Sequence, residues 1–404
     1  MDQRVREVII VGCGPAGSTA ANLLARAGRD VLVLEREVFP RFHVGESLLP
    51  CELPIFERLG VRLDRERYQY KQGAEFIDER TGDAVFFSFA DGLEGTPTYA
   101  WQVERALFDH ELAIAAAGAG AEIRYGAAVS AVDVDDAGVT VRAQGVDHRG
   151  RYLIDASGQD AFLARRDRAV EPLRELGRAA VFGHFEDLAP ASCDELCALG
   201  NVKIFMIEDG WMWAIPLVGR RMSVGVVKWR GKIDEALHEE TVAASPLLQR
   251  LLVGARRTPL RILSNFSYRN TRAAGPRYVC IGDAACFLDP IFSSGIGLAM
   301  FAAEAVADRL APALAEGREA APTLMDPLRE RMTVAYSSFE QLIRRFYHSR
   351  MVHNLFFAPE PDPTLRRGLI SVLAGDVFRD DNPFQLMLQG SRWRRREGSA
   401  AADA

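Results

Sequence analysis

The chain has 404 residues, 48% apolar and 26% charged, with a formal net charge of −6 and a pI near 5.8. This is globular composition, enough for roughly two to three structural units. The acidic balance excludes nucleic acid as the main partner, because phosphate binding needs a basic surface. No apolar stretch reaches the roughly 18 residues of a membrane helix, so no membrane association is expected. Six scattered cysteines show no paired metal spacing; Cys193 and Cys197 have no His or second Cys pair nearby. The expectation is a cytoplasmic protein with reduced thiols and no metal.

Val8 to Val11 is a β-branched run leading straight into glycines, so it reads as a buried strand rather than a signal segment. Ser18 to Ala27 reads as a helix ended by Gly28, and Val31 to Leu34 as the next buried strand. Residues 37 to 70 read as loop and helix, and 72 to 103 as strands and turns. Ala106 to Ala117 is helical; Gly118-Ala119-Gly120 terminates it. Alternation at Val129 to Val141 predicts a hairpin, and Tyr152 to Asp155 a strand returning to the first sheet. Residues 180 to 230 are strand-rich, with turns at Asp209-Gly210 and Gly219-Arg220. Tyr278 to Ile281 is a further buried strand, followed by a long Ala-rich helix from near Gly295. Beyond about 325 the chain reads as helical, with Phe339, Phe346, Tyr347, Phe356 and Phe357 suited to helix packing first and to covering a substrate cavity second. Arg394-Arg395-Arg396 opens a disordered tail.

Gly12-Cys13-Gly14-Pro15-Ala16-Gly17 forms a G-x-G-x-x-G turn between a strand and a helix. Gly12 permits the tight turn, Gly14 lets the backbone approach a pyrophosphate, and Gly17 lets helix and strand pack closely. The helix start offers free N–H groups and a positive dipole end to phosphates. Glu35 follows Gly17 by 18 residues, at a strand end where a carboxylate grips ribose hydroxyls. Arg36 adjoins it. Together these features predict a dinucleotide site.

Three further segments point to FAD. Asp155-Ala156-Ser157-Gly158 resembles the second chain crossing of FAD enzymes of the glutathione-reductase type. Gly282-Asp283-Ala284-Ala285 resembles their Gly-Asp segment, whose Asp binds the ribityl or pyrophosphate part of FAD. Gln102-Val103-Glu104-Arg105 resembles the segment whose Arg contacts the cofactor. No second strand-bounded G-x-G-x-x-G is present. Reducing equivalents are therefore expected from a separate NAD(P)H-dependent flavin reductase, although some flavin monooxygenases bind NADPH without a second fold.

Gly210 to Pro216 reads as a strand whose period of two puts Trp211, Trp213 and Ile215 on one face. Two indoles there suit either a cavity wall or ordinary aromatic packing. Trp211-x-Trp213-x-Ile215-Pro216 resembles the W-x-W-x-I-P signature of flavin-dependent halogenases, and Phe287-x-x-Pro290-x-x-Ser293-x-Gly295 their second signature. Arg41-Phe42-His43-Val44-Gly45-Glu46-Ser47 is similar to their flavin-contacting loop, and Lys71 falls at their essential lysine. The resemblance runs from residue 6 to about 310. The chain is shorter than tryptophan halogenases and closer to the phenol- and pyrrole-type branch. Gly297 departs from a bulkier residue in many relatives. The glutamate that positions indole has no evident counterpart, which argues against free tryptophan as substrate.

The resemblance implies an α/β fold. An FAD-binding, Rossmann-like domain of glutathione-reductase and p-hydroxybenzoate-hydroxylase type (1–75, 100–165, 268–325) is interrupted by an antiparallel substrate sheet (76–99, 166–267). A helical C-terminal region (326–404) follows. It also implies FADH2- and O2-dependent halogenation, in which halide attacks a flavin C4a-hydroperoxide to give hypohalous acid. The substrate would be an electron-rich phenol or pyrrole, free or carried on an acyl or peptidyl carrier protein. Lys71 would handle the electrophilic halogen, and Trp211, Trp213, Ile215 and Pro216 would keep the ring from the flavin. Arg41, Gly45, Glu46, Ser47, Pro290, Gly295 and Ile296 would contact FAD, with chloride or bromide at Ser294 and Gly295. N-capping by Ser293 or Ser294 suits the same turn, and His43 suits flavin-side packing. A monooxygenase, dehydrogenase or reductase on the same scaffold stays open, as does a non-catalytic flavin binder.

Overall fold

The computed structural model describes residues 4–174, 176, 179–229, 231–264, 266–348 and 354–390. The expected C-terminal tail, with its arginine run, lies outside them.

Strand Val5–Val11 is the centre of the first sheet, because its residues are buried on alternating sides. Val8 and Ile10 enter the large core under the helices, while Ile9 and Val11 enter a smaller core beneath a hairpin. It pairs in parallel with Val146–Asp155 on one side and Val31–Leu34 on the other. Tyr278–Cys280 and Glu122–Arg124 extend the parallel set outward. The registers Val11↔Asp155, Asp155↔Cys280 and Val11↔Leu34 bring four carboxyl ends level. Gly12, Glu35, Ala156 and Ile281 therefore leave the sheet side by side, where open parallel sheets bind ligands. The helices Pro15–Arg26 and Ser294–Ala315 cover one face. The hairpin Val129–Asp135 and Gly138–Ala143 covers the other.

The second sheet runs Arg256–Arg257, Ala179–Glu186, Arg221–Lys228, Gly210–Leu217, Val202–Ile207, Gly73–Asp78, Ala84–Ser88. It is antiparallel except between Val202–Ile207 and Gly73–Asp78, which pair in parallel. One face, with Phe182, Trp211, Trp213 and Ile215, looks into the large core shared with the first sheet. The other, with Val181, Met212, Ala214 and Val224, is closed by apolar contacts that include Leu196, Leu237, Leu248 and Leu251. Two of the covering helices, Glu235–Ala244 and Pro246–Leu251, are capped by Asp234 and Ser245, whose side chains accept from Leu237 N and Leu248 N.

The C-terminal helices lie against the large core. Phe356 meets Phe76 and Phe87 at ring separations of 4.6 and 5.0 Å, each such ring contributing about 2–3 kcal/mol by burial. No helix of the described residues is long and apolar enough to cross a membrane.

Candidate functional site

The glycine turn is built on contacts that exclude side chains. Gly12 has φ +95°, and a Cβ there would stand 2.4 Å from Ala156 O. A Cβ on Gly17 would stand 2.0 Å from Gly12 O. Gly14 is different: its Cβ would meet only the Arg41 guanidinium, at 3.5 Å. It is the N-cap of the helix that begins Pro15-Ala16-Gly17, and no side chain caps that end. The free N–H groups and a cation at one spot make an anion cradle. Glu35 takes the N–H of Cys13 at 2.7 Å and of Glu37 at 2.8 Å, which fixes its carboxylate beside the turn. Arg36 points outward to Asp160.

The second crossing is held in the same way. Asp155 accepts from Ser157 N and Leu163 N at 3.0 and 2.9 Å, so its carboxylate shapes the turn that carries Gly158, whose φ is +65°. Gly282 fits between Ala16 and Ala299, with a Cβ only 3.1–3.2 Å from theirs. The adjoining Asp283 is buried, and burial raises its carboxyl to about 7 against the pull of Arg105.

Arg105 serves the loop from Arg41 to Ser47. It donates to Val44 O at 2.7 Å and Gly45 O at 3.2 Å, and forms a two-pronged ion pair with Asp109. Asp109 also lies 3.0 Å from Arg41. A buried carboxylate thus aligns two arginines, and their charges hold Asp109 below the usual carboxylate range although burial opposes them. Half-buried His43 is pushed down to about 4 by burial and by Arg105, so it is neutral at pH 7. Glu46 pairs with His184 at 2.7 Å. That hydrogen bond and charge keep His184 above its ordinary value despite burial.

Asp289, Pro290 and the turn after them lead into the helix Ser294–Ala315. Ser293 has φ +55° and makes no side-chain cap, and Ser294 is already the first residue of the helix, so the expected serine N-cap bond from Ser293 is not formed. Asp289 instead caps the preceding turn by accepting from Ile291 N at 3.0 Å. A Cβ on Gly295 would meet nothing within 4 Å. Buried Ser294 and Ile296 flank that open spot, at the positive end of a long helix. Together with the cradle at Gly14 and Arg41, these features fit FAD: a phosphate site with free donors and an open, electropositive spot beyond it.

Lys71 ends strand Gln69–Lys71 and is 1% exposed. Its Nζ donates to Ser47 Oγ at 2.9 Å and Leu48 O at 2.7 Å, and lies 5.2 Å from the Phe89 ring. It is therefore joined to the loop that carries Glu46 and Ser47. Burial lowers its ammonium to about 7, partly offset by Glu52. Trp211 and Trp213 share one face, 1% and 6% exposed, with rings 5.7 Å apart. Phe182 and Phe42 continue the row, at 5.9 and 6.5 Å. Trp213 lies flat over Gly225, where a Cβ would come within 2.1 Å of the indole. Ile215 is buried on the same face, and Pro216 sits one residue before the strand end. Trp211 Nε1 donates to Tyr347 Oη at 2.9 Å, and Tyr347 donates to Asp289 at 2.7 Å. The tryptophan strand is thereby tied to the Pro290 turn through a C-terminal helix.

Sequence reasoning did not single out Glu52, Asp109, His184, Gly225 or Asp289. Asp109 stands four residues after Arg105 on one helix, a spacing that signals an ion pair. Asp289 and Glu52 also cap local turns at Ile291 N and Leu49 N, but the distant partners of these four residues are met through tertiary packing.

Fold and site together define an FAD-binding flavoprotein whose second sheet presents a buried tryptophan pair and whose strand Gln69–Lys71, paired with Ala100–Gln102, carries a buried lysine. The family model for tryptophan halogenase matches residues 7–98 and 91–357, and the chain belongs to that family. It is 32% identical over 315 residues to the tryptophan 2-halogenase of Chondromyces crocatus, covering 74% of this chain and 59% of that enzyme. It is 30% identical to the 1H-pyrrole-2-carbonyl peptidyl-carrier-protein brominase of Pseudoalteromonas luteoviolacea, covering 92% of both. Among solved structures, the flavin-dependent brominase Bmp2 superposes with a TM-score of 0.81 at 28% identity, covering 96% of this chain and 98% of that one. A flavoprotein/dehydrogenase from Cytophaga hutchinsonii superposes with a TM-score of 0.85 at 26% identity, covering 96% and 99%.

Proposed function

We propose that this chain halogenates an electron-rich aromatic ring of pyrrole or phenol type, with a carrier-tethered pyrrole as the preferred substrate class. The observation that carries the reading is Lys71. It is a fully buried amine held by Ser47 and Leu48, in a chain whose second sheet carries a buried tryptophan pair on its inner face. Bound reduced FAD supplies the activation of O2 from which, with chloride or bromide, the electrophilic halogen arises. The chain's own residues do the rest. Gly14, Arg41 and the helix start at Pro15 hold the phosphates. Gly295, Ser294 and the helix end behind them stabilise negative charge, as oriented N–H groups do. Trp211, Trp213, Phe182 and Ile215 keep a ring away from the flavin. Lys71, with its proton weakly held, binds and presents the halogen.

Near-complete coverage of a pyrrole brominase, against 59% of a tryptophan 2-halogenase, supports a tethered pyrrole over free tryptophan. A separate reductase would supply reduced flavin, in keeping with the single dinucleotide turn. A second reading, a dehydrogenase or hydroxylase on this scaffold, draws on the superposition with the Cytophaga flavoprotein. The test offers pyrrole-2-carboxylate free and as a thioester on a carrier protein, with FAD, a flavin reductase, NADH, O2 and bromide. Bromination of the thioester alone is expected. Bromination of the free acid at equal rate would overturn the tethered reading.

A further inference from the structure

The loop 41–47 runs from the dinucleotide cradle to the second sheet, and its two ends are held from opposite sides. At its start Arg41 stands beside Gly14 and pairs with Asp109 at 3.0 Å. Its middle is fixed by Arg105, which donates to the carbonyls of Val44 and Gly45. Both holders, Arg105 and Asp109, belong to the helix Arg105–Gly118. The far end is held by the second sheet. His184, in strand Ala179–Glu186, places Nε2 2.7 Å from Glu46 Oε1, and both side chains are buried. A carboxylate only accepts, so the imidazole N–H donates. The Phe42 ring of the same loop lies 5.7 Å from the imidazole.

The imidazole is itself fixed in place. His184 N donates to Thr258 Oγ1 at 2.9 Å, and its carbonyl accepts from Thr258 N at 2.8 Å. In register His184 stands opposite Ser223, and Ser223 opposite Ile215. Directly opposed residues point to one face of a sheet. His184 therefore shares the inner face with Trp213, whose Nε1 donates to Ser223 Oγ at 3.1 Å. Glu46 is equally constrained. Its carbonyl accepts from Val103 N at 2.7 Å, and the next residue, Ser47, accepts from Lys71. Phe42 stacked on Phe182 already gives this loop an apolar hold on the sheet. What a buried ionisable pair adds, at a cost in hydration, is direction.

We propose that His184 is a positioning residue for the bound flavin: by donating to Glu46 it ties the far end of the loop 41–47 to the tryptophan-bearing sheet and presents that loop to FAD in one place. The proposal rests on FAD filling the cradle at Gly14 and not on what the flavin then does. The cradle end of the loop has its own holders in Arg105 and Asp109, so loss of His184 should free the Glu46 end and leave the phosphate end as it is.

Two ligands separate these ends. FAD spans both, and ADP fills the cradle without a flavin ring. Their dissociation constants are measured on the full-length, flavin-free protein by calorimetry. His184→Leu removes the donor and keeps the bulk. It should weaken FAD roughly tenfold, the scale of one hydrogen bond to a charged group, with ADP unmoved. His184→Gln carries an N–H of similar reach and should recover most of the FAD affinity. His184→Asn, whose amide falls short of Glu46, should weaken FAD as the leucine does and serves if His184→Leu does not fold. Unchanged FAD affinity, or equal losses of FAD and ADP, would overturn the proposal, the second outcome making His184 a packing residue. Weakened FAD with ADP spared, in a protein that halogenates nothing, would keep the His184–Glu46 tie and remove the halogenase reading.

Discussion

The dinucleotide cradle and the region of Lys71 and the tryptophan pair are both buried, yet they are built from different material. The cradle is backbone: Gly12 and Gly17 touch main-chain oxygens so closely that even a methyl group has no space. The second region is side chain: Lys71 donates to Ser47 and Leu48, and Trp211, Tyr347 and Asp289, from distant segments, are chained by hydrogen bonds of 2.7–2.9 Å with Trp213 against Trp211. Errors in the first should destroy the fold or the cofactor site. Errors in the second should spare both and remove chemistry.

The largest effect should come from Gly17→Val. With a Cβ placed 2.0 Å from Gly12 O, helix and strand must separate, at a cost of about 4 kcal/mol or more. Loss of soluble, cooperatively melting protein is expected. Gly14→Val should instead melt like the unaltered protein but purify without a flavin spectrum, because its side chain displaces only Arg41. A bound flavin in Gly14→Val would break the division between the two glycines.

Next comes Lys71→Met, expected to keep FAD and lose at least about 100-fold in halogenated product, the scale of a positioned acid–base group. The same variant has a pH signature. Lys71 is held near 7 in the folded chain against an ordinary 10.5. Between those values the unfolded chain binds the extra proton, so stability rises with pH. Glu52, raised from 4.5 to about 8, gives the opposite slope between those values. Only the lysine slope persists from pH 8 to 10.5. Across that window the unaltered protein should gain melting temperature relative to Lys71→Met. A constant difference would show that Lys71 is not desolvated.

A smaller effect is expected of Gly225→Ala, whose methyl group would overlap the Trp213 ring. Overpacking costs about 1–3 kcal/mol, and the indole should move. A shift in tryptophan fluorescence together with reduced halogenation would place Trp213 in the wall; altered fluorescence with normal turnover would reduce it to packing. The smallest effect is Tyr347→Phe, which removes the link between Trp211 and Asp289 and should lower stability by about 1 kcal/mol, read from denaturant unfolding.

The same contrast explains what the sequence made legible. The glycine turn, Glu35 and the Asp155 and Gly282 segments each follow a buried strand. Parallel register then brings them together, so local pattern was sufficient. Period two placed Trp211, Trp213 and Ile215 on one face for the same reason. The outer helices Glu235–Ala244 and Pro246–Leu251 went unread despite their caps at Asp234 and Ser245-Pro246. The Glu52 carboxyl could not be found locally, since its neighbours Lys71 and Gly297 belong to other elements. Tyr347 was legible as a packing aromatic but not as a hydrogen-bonding link. Asp155 and Arg105 were read as cofactor contacts, and their side chains hold the turns around that site.

The most direct test of the central claim is product mass from a turnover mixture of protein, FAD, flavin reductase, NADH, O2 and a panel of pyrroles and phenols, tethered and free. It is run with chloride, with bromide and with neither. The account requires a mass gain of one halogen for hydrogen, present only with halide and absent in Lys71→Met. A gain of one oxygen, independent of halide and retained in Lys71→Met, would contradict it.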